Sequence, residues 1–308
     1  MAMKQSREEW LEERRRSIGG SDAAGILGLS EWSSPYAVWA DKTGQIPEKQ
    51  DTEAMREGRD FEQYVADRWM EETGKRCRRR TQMLRNPDYP FAHANVDRWV
   101  VGEKAGLECK TVKPYDVKMY QDGKFPDRFY VQCVHYMAVT GAERWYLAVL
   151  VFGTGLYTYT IERDEDEINA LMEAEAAFWH YVETKTPPPA DGMPATSEVL
   201  HTIYKDGGGD EIDLFGLDDA FDRYFQARKS IEEMKAMADA AANEIKAVLG
   251  DADGGRCDRA KVTWKAQKRT TFDSKRFMKE HPQYDYSSYL KEQTTRVFKV
   301  KENKDYGR

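Results

Sequence analysis

Two short stretches decide the fold: Asp97-Arg-Trp-Val-Val101 and, beyond a turn at Gly102, Gly106-Leu-Glu108-Cys109-Lys110-Thr-Val112. Both read as strands, rich in β-branched and aromatic residues and bounded by glycine. Alternate residues of a strand share a face, so Glu108 and Lys110 project together while Cys109 faces away, and Asp97 can join them from the adjoining strand. Two carboxylates and an ammonium on one sheet face are expensive to bury unless a divalent cation compensates them. Taken alone, the same pattern also serves as a surface ion-pair cluster, because D-x(n)-E-x-K arises by chance in charged chains.

The flanking sequence supplies the context. Ser6 to Arg16 reads as a short charged helix, Gly19-Gly20 as a tight turn, and Ser21 as the N-cap of a second helix. Tyr36 to Lys42 is a further helix, and Glu53 to Thr73 carries Phe61, Val65, Trp69 and Met70 at helical spacing before Gly74. After the two strands, Arg128 to Val139 returns to helix, Trp145 to Phe152 and Leu156 to Ile161 form a hairpin around Gly153 and Gly155, and Asp164 to Glu183 closes the unit. Thr186-Pro-Pro-Pro-Ala-Asp-Gly then breaks the pattern. The reading is a core over 1–191, a linker or surface crossing over 192–216, and an extension over 217–308. The extension holds an amphipathic helix, Leu217 to Leu249, and strands near Ala260 to Trp264 and Arg296 to Val300.

Composition sets limits on function. The chain has 308 residues, 40% hydrophobic and 33% charged, which is that of a soluble globular protein. No apolar run approaches the roughly 20 residues of a spanning helix, and Met1 to Trp10 is too polar for a signal peptide, so a cytoplasmic protein with no membrane role is expected. Cys77, Cys109, Cys133 and Cys257 lie far apart with no metal-ligand spacing, so reduced thiols are expected. The net charge of -7 is unevenly spread: from Arg256 to Arg308 there are 15 Lys/Arg against 7 Asp/Glu. A basic tail region on an acidic body points to a polyanion partner or to a merely solvated basic surface.

Glu57-Gly-Arg-Asp-Phe-Glu62 places a carboxylate on the helix before the strands, and Gln132, His135 and Tyr136 share one face of the helix after them. Helix, D…ExK, helix, preceded by Arg14-Arg-Arg-Ser-Ile-Gly-Gly-Ser21-Asp22-Ala-Ala, resembles the YqaJ-type phage recombination exonucleases, a lambda exonuclease-like family of the PD-(D/E)xK nuclease superfamily. The resemblance covers roughly Trp10 to Asp191. It implies an α/β fold with a restriction-endonuclease-like core, a central mixed sheet flanked by helices, followed here by a helical and small β C-terminal extension.

The resemblance also implies a function: Mg²⁺-dependent 5'-to-3' exonuclease action on double-stranded DNA ends in the bacterial host of a phage or prophage. The product would be 3' single-stranded tails for a single-strand-annealing protein, and the assembly a trimeric ring. Glu62, Asp97 and Glu108 match the family's metal-binding carboxylates, with the Cys109 backbone carbonyl as a further ligand. Two Mg²⁺ ions, or Mn²⁺ as a substitute, are implied. Lys110 matches the catalytic lysine, which orients or deprotonates the attacking water or stabilises charge on the phosphorane. Gln132 matches the glutamine of a QxQ-like helix whose second position is Val134 here. Arg14 and Ser21 match the pair that holds the terminal 5'-phosphate, with Arg16 a competing candidate.

Several residues keep two readings. Lys75-Arg-Cys-Arg78-Arg79-Arg80 grips phosphates or is a solvated edge. His93 is a ligand, or an ordinary histidine behind the site. Trp32, Tyr36 and Trp39 stack on bases or pack in the core. Lys261, Lys265, Lys268, Arg269, Lys275 and Arg276, interleaved with Trp264, Phe272 and Phe277, touch duplex backbone or the annealing partner. Gly207-Gly-Gly lacks a following GK[ST], so nothing supports ATP use. Two other functions compete: an endonuclease on branched or single-stranded DNA, and a nonenzymatic DNA-binding recombination scaffold.

Overall fold

The computed structural model describes residues 12–48, 50–291 and 295–303. The expected Ser6 to Arg16 helix falls partly outside them, with residues 12–15 helical; the Met1 to Trp10 segment lies outside altogether. The chain divides into two units. One runs to Lys205 and takes in the stretch from Arg296; the other is Asp206–Thr295.

The first unit is built on a mixed five-stranded sheet in the order β2-β4-β5-β6-β7. Its strands are β2 (Cys77–Arg79), β4 (Arg98–Val100), β5 (Ala105–Val112), β6 (Arg144–Val151) and β7 (Gly155–Glu162). β5 and β6 are parallel and the other pairs antiparallel. Strand β6, Arg-Trp-Tyr-Leu-Ala-Val-Leu-Val, is apolar almost throughout because both its faces are covered. Trp145, Leu147, Val149 and Val151 pack in one core with helix α4 (Asp127–Thr140), whereas Tyr146, Ala148 and Leu150 pack in the other with Val65, Ala66 and Trp69 of α3 (Glu53–Thr73). Gly74 and Gly141 end these two helices at φ of 70° and 67°, a left-handed cap that glycine adopts without penalty. Helix α5 (Glu165–Glu183) packs on α4.

At the front, Ile18–Gly19 (β1) pairs in parallel with Ala92–His93 (β3), and helix α1 (Gly20–Ile26) follows directly. This corrects two expectations. Gly19-Gly20 is no turn, since Gly19 lies extended at φ -101°, and the N-cap is Gly19 with Ser21 inside the first turn. Gly20 is glycine for space: a Cβ there would lie 2.6 Å from the Tyr136 ring of α4. Asp22 takes the capping role, accepting from the Gly19 N–H at 2.9 Å.

Helix α2 (Pro35–Lys42) buries Tyr36 and Trp39 in a third core with Phe178 and Val199, so these two rings pack rather than stack on bases. Trp32 is exposed. The segment expected as a linker or crossing begins with helix α6 (Pro194–Ile203), whose Thr196 hydroxyl lies 2.7 Å from the Ser34 hydroxyl at the start of α2.

The second unit contains α7 (Asp218–Leu249), a two-stranded hairpin of β8 (Gly254–Arg256) with β9 (Lys261–Thr263), and α8 (Ser274–Glu280). The strand expected at Arg296 to Val300 does not form. The described residues there take no regular secondary structure, and the side chains of Val297 and Phe298 are exposed, so burial does not fix a strand register for them.

Candidate active site

Strand β5 presents Glu108 and Lys110 on the face covered by α4, as the two-residue period requires, and Leu107 on the face covered by α3. Asp97, the residue before β4, turns its carboxylate back to accept from the Cys109 N–H at 2.9 Å. Helix α4 brings Gln132 over the pair. Its Nε2 donates to Glu108 Oε1 and to the Tyr136 hydroxyl, both at 2.8 Å, while its Oε1 accepts from Lys110 Nζ at 3.0 Å. Lys110 Nζ also lies 2.6 Å from Glu108 Oε1. Asp97, Glu108, Lys110 and Gln132 therefore form one cluster.

Its electrostatics are crowded. Burial and the neighbouring Glu108 carboxylate push the Asp97 pKa well above the usual carboxylate range, with Lys110 pulling the other way. Burial alone would lower Lys110, but Glu108 and Asp97 outweigh it and hold its pKa above that of a free lysine. Burial, with the Asp97 and Glu108 carboxylates beside it, pushes the Cys109 thiol well above its ordinary pKa, which disfavours the thiolate. Glu108 Oε2 is buried with no hydrogen-bond partner among the described residues. A buried carboxylate oxygen without a donor, beside a second carboxylate that burial disfavours in its charged form, fits a hard divalent cation.

Glu62 is near enough to that cluster for its charge to help raise the Asp97 pKa. Its carboxylate is ion-paired with Arg98, a buried guanidinium that also donates to the Asp97 carbonyl at 2.8 Å and to Gln63 Oε1 at 3.0 Å. Among the described residues, no three His, Cys, Asp or Glu side chains are arranged to enclose a metal. Arg98 had no signal in the sequence beyond its place after Asp97, on the opposite strand face.

Away from the cluster, Arg14 Nη2 lies 3.3 Å from the Ser21 hydroxyl and 3.8 Å from Asp22, so this expected pair does meet. Arg16 instead extends to Glu12 at 2.8 Å. Beneath Arg14, Lys42 Nζ sits 2.6 Å from Asp22 with its side chain wholly buried. Burial works against the Asp22 carboxylate, yet Lys42 and Arg14 bring its pKa down to about 2. His93 bonds Ser17 through Nδ1 at 2.8 Å, and burial and Lys42 lower its pKa to about 3, so it is a neutral structural histidine. His135 is held between Glu175 and the His93 carbonyl, both at 2.8 Å. Nε2 donates to the carbonyl, and Glu175 outweighs burial to raise the His135 pKa. Arg78 and Arg79 are exposed on the edge strand β2, and the Arg80 guanidinium lies 5.6 Å from the Trp99 ring centre.

Residues 9–143 match the family model described as the YqaJ-like viral recombinase domain. The chain is also 38% identical over 303 residues to the uncharacterized protein YqaJ of Bacillus subtilis (strain 168), covering 96% of this chain and 95% of that one. The chain belongs to the YqaJ family. Among solved structures, this YqaJ-family chain is similar to LHK-Exo in complex with dAMP, at 20% identity and a TM-score of 0.50 over 58% of this chain and 94% of that one. A second structure of that protein, an alkaline exonuclease from Laribacter hongkongensis, matches at 19% identity and a TM-score of 0.48, with the same coverage. The likeness to the dAMP complex shows that the chain shares that protein's fold over the matched part, in keeping with the α/β architecture with a mixed central sheet. Among the described residues no helix is long and apolar enough to cross a membrane.

Proposed function

We propose that the chain is a divalent-metal-dependent deoxyribonuclease that degrades double-stranded DNA from its ends in the 5'-to-3' direction. The observation that carries this reading is the meeting of Asp97, Glu108, Lys110 and Gln132 on one sheet face of a PD-(D/E)xK fold, with an unpartnered carboxylate oxygen at Glu108. Membership of a recombinase family and the fold shared with an exonuclease support it.

Asp97 and Glu108, with the Cys109 backbone carbonyl, are the proposed holders of Mg²⁺, for which Mn²⁺ would substitute. When bound, the ion neutralises phosphate charge and lowers the pKa of a water ligand. Glu62, the third metal-binding carboxylate that the resemblance implies, is ion-paired with Arg98. Lys110 is kept protonated by its own carboxylates, so its ammonium serves to stabilise charge developing on the phosphate; proton loss would need cations to share those carboxylates. Gln132 fixes the spacing between Lys110 and Glu108 through its two amide ends. Arg14 with Ser21 is the proposed reader of the 5'-phosphate, by a charge-assisted contact, and Arg78, Arg79 and Arg80 are proposed to meet duplex phosphates.

The remaining proposals concern the setting: a phage-type cytoplasmic protein, a trimeric ring that retains DNA despite the acidic body, and a single-strand-annealing protein that receives the 3' tails. One assay separates the exonuclease from an endonuclease and from a nonenzymatic scaffold. Linear 5'-phosphorylated duplex, the same duplex without phosphate, and a closed circle are each incubated with Mg²⁺ or with EDTA. Degradation of the phosphorylated linear duplex first, with the circle intact and EDTA abolishing everything, is expected. A cut circle supports the endonuclease, and an intact set in Mg²⁺ supports the scaffold.

A further inference from the structure

We propose that residues 256–277 of the second unit form a binding surface for single-stranded DNA. Only the choice of DNA rests on the nuclease reading, since an unpaired strand is what end resection leaves behind.

The charge comes first. Residues 256–279 carry nine Lys/Arg against two Asp/Glu. In the hairpin, Arg256 lies directly opposite Lys261 in antiparallel register. Cross-strand neighbours stand about 5 Å apart on one face, where like charges repel, and a phosphate between them converts that repulsion into attraction. The hairpin is fixed by packing: a Cβ on Gly254 would lie 2.5 Å from the Val262 carbonyl oxygen, so the strands approach closely at that glycine. Among the described residues, Arg276 is the one cation of this stretch in an ion pair, with Glu280 at 2.8 Å. The side chains of Lys261, Lys265, Lys268 and Arg269 are left to solvent.

The aromatic residues decide which polyanion fits. Trp264 is 48% exposed and Phe272 73% exposed, and the Phe272 ring lies 5.0 Å from that of Phe277. Lys265, Lys268 and Arg269 fall in sequence between Trp264 and Phe272. A duplex backbone offers phosphates but keeps its base faces stacked inside, so it gives exposed rings nothing to cover. An unpaired base offers a π face, and rings interleaved with cations are the arrangement that binds single strands with little sequence preference.

The test uses the full chain in EDTA, so that binding is read without digestion. Fluorescence anisotropy is measured with a labelled oligo-dT and with a duplex of matched charge closed by hairpins at both ends. Phe272→Ala with Trp264→Ala is expected to weaken oligo-dT binding by about 10-fold or more and to leave the closed duplex unchanged. Neutralising Lys265, Lys268 and Arg269 to glutamine is expected to flatten the salt dependence for oligo-dT by about 2 in the log-log slope. Equal losses on oligo-dT and closed duplex would assign the surface to duplex backbone and overturn the proposal. Unchanged oligo-dT binding in both variants would also overturn it, leaving a protein partner as the occupant. Phe272→Ala alone carries the test if the Trp264 variant is misfolded by circular dichroism. A chain that binds oligo-dT through these residues yet digests nothing in Mg²⁺ loses the nuclease reading and keeps this one.

Discussion

Gln132 uses every polar atom of its amide inside the cluster, donating to Glu108 and Tyr136 and accepting from Lys110. Gln132→Leu keeps the volume and removes all three bonds, so nuclease activity in Mg²⁺ is expected to fall about 10- to 100-fold in kcat with the fold intact by circular dichroism. Activity equal to wild type would show that the amide only fills space. Arg14→Ala is expected to slow digestion of a 5'-phosphorylated duplex strongly and that of a 5'-hydroxyl duplex little, so comparing the two rates tests the end-reading role. Beneath Arg14, the folded pKa of Asp22, about 2, lies below its ordinary value of 3.8. The pair with Lys42 thus stabilises the fold by about 2 kcal/mol above pH 4, a contribution lost as pH falls through 2. Lys42→Met removes the nearest cation and leaves the Asp22 carboxylate with the more distant Arg14 and the Gly19 N–H; it is expected to cost about 2–4 kcal/mol in urea unfolding at pH 7, with the deficit against wild type shrinking toward pH 2. Glu108 and Lys110 were legible as same-face neighbours from the strand period, with Asp97 able to join them from the adjoining strand, whereas Gln132 was singled out by the resemblance. Arg98 and Lys42 were not, because a buried cation looks in sequence like any exposed one until its partner across the fold is known.

At the scale of elements, two glycines, Gly20 and Gly106, hold secondary structure at close range without any need for positive φ. A Cβ on Gly106 would lie 2.2 Å from the Trp145 indole, and β5 is the strand that delivers Glu108 and Lys110. Gly106→Ala is expected to destabilise the first unit by about 1–3 kcal/mol in urea unfolding, because neither a strand backbone nor a buried indole can yield. Gly155→Ala is the control: a Cβ at the start of β7 meets nothing within 4 Å, so it should be neutral or mildly stabilising. An equal effect of both would mean that the indole repacks. The central strands and α3 to α5 were legible from periodicity and glycine stops. The front was not, because Gly19-Gly20 has the composition of a turn, and only the Tyr136 ring packed on it requires glycine within an extended strand and helix start. Arg296 to Val300 failed in the opposite direction, having β-branched and aromatic residues but forming no strand among the described residues.

For the whole molecule, the acidic body set against a basic tail region bears on how the proposed nuclease would retain DNA. The proposed ring would do so by topology. Light scattering of the pure protein at micromolar concentration is expected to give three chain masses, whereas a monomer that still digests long duplex processively would rule the ring out. The core was legible because its motifs come in a fixed order along the chain. The second unit was legible only as charge and amphipathicity, since no residue of α7 is buried and no buried face fixes a pattern there. The proposed hydrolysis depends on the chemistry of one cluster, and Lys110→Ala probes that cluster. Release of nucleotides from a linear 5'-phosphorylated duplex in Mg²⁺ is compared between wild type and this variant, with circular dichroism of both. Digestion by wild type and a loss of about 100-fold or more in a folded Lys110→Ala protein is predicted; hydrolysis near the wild-type rate in the variant would contradict the account.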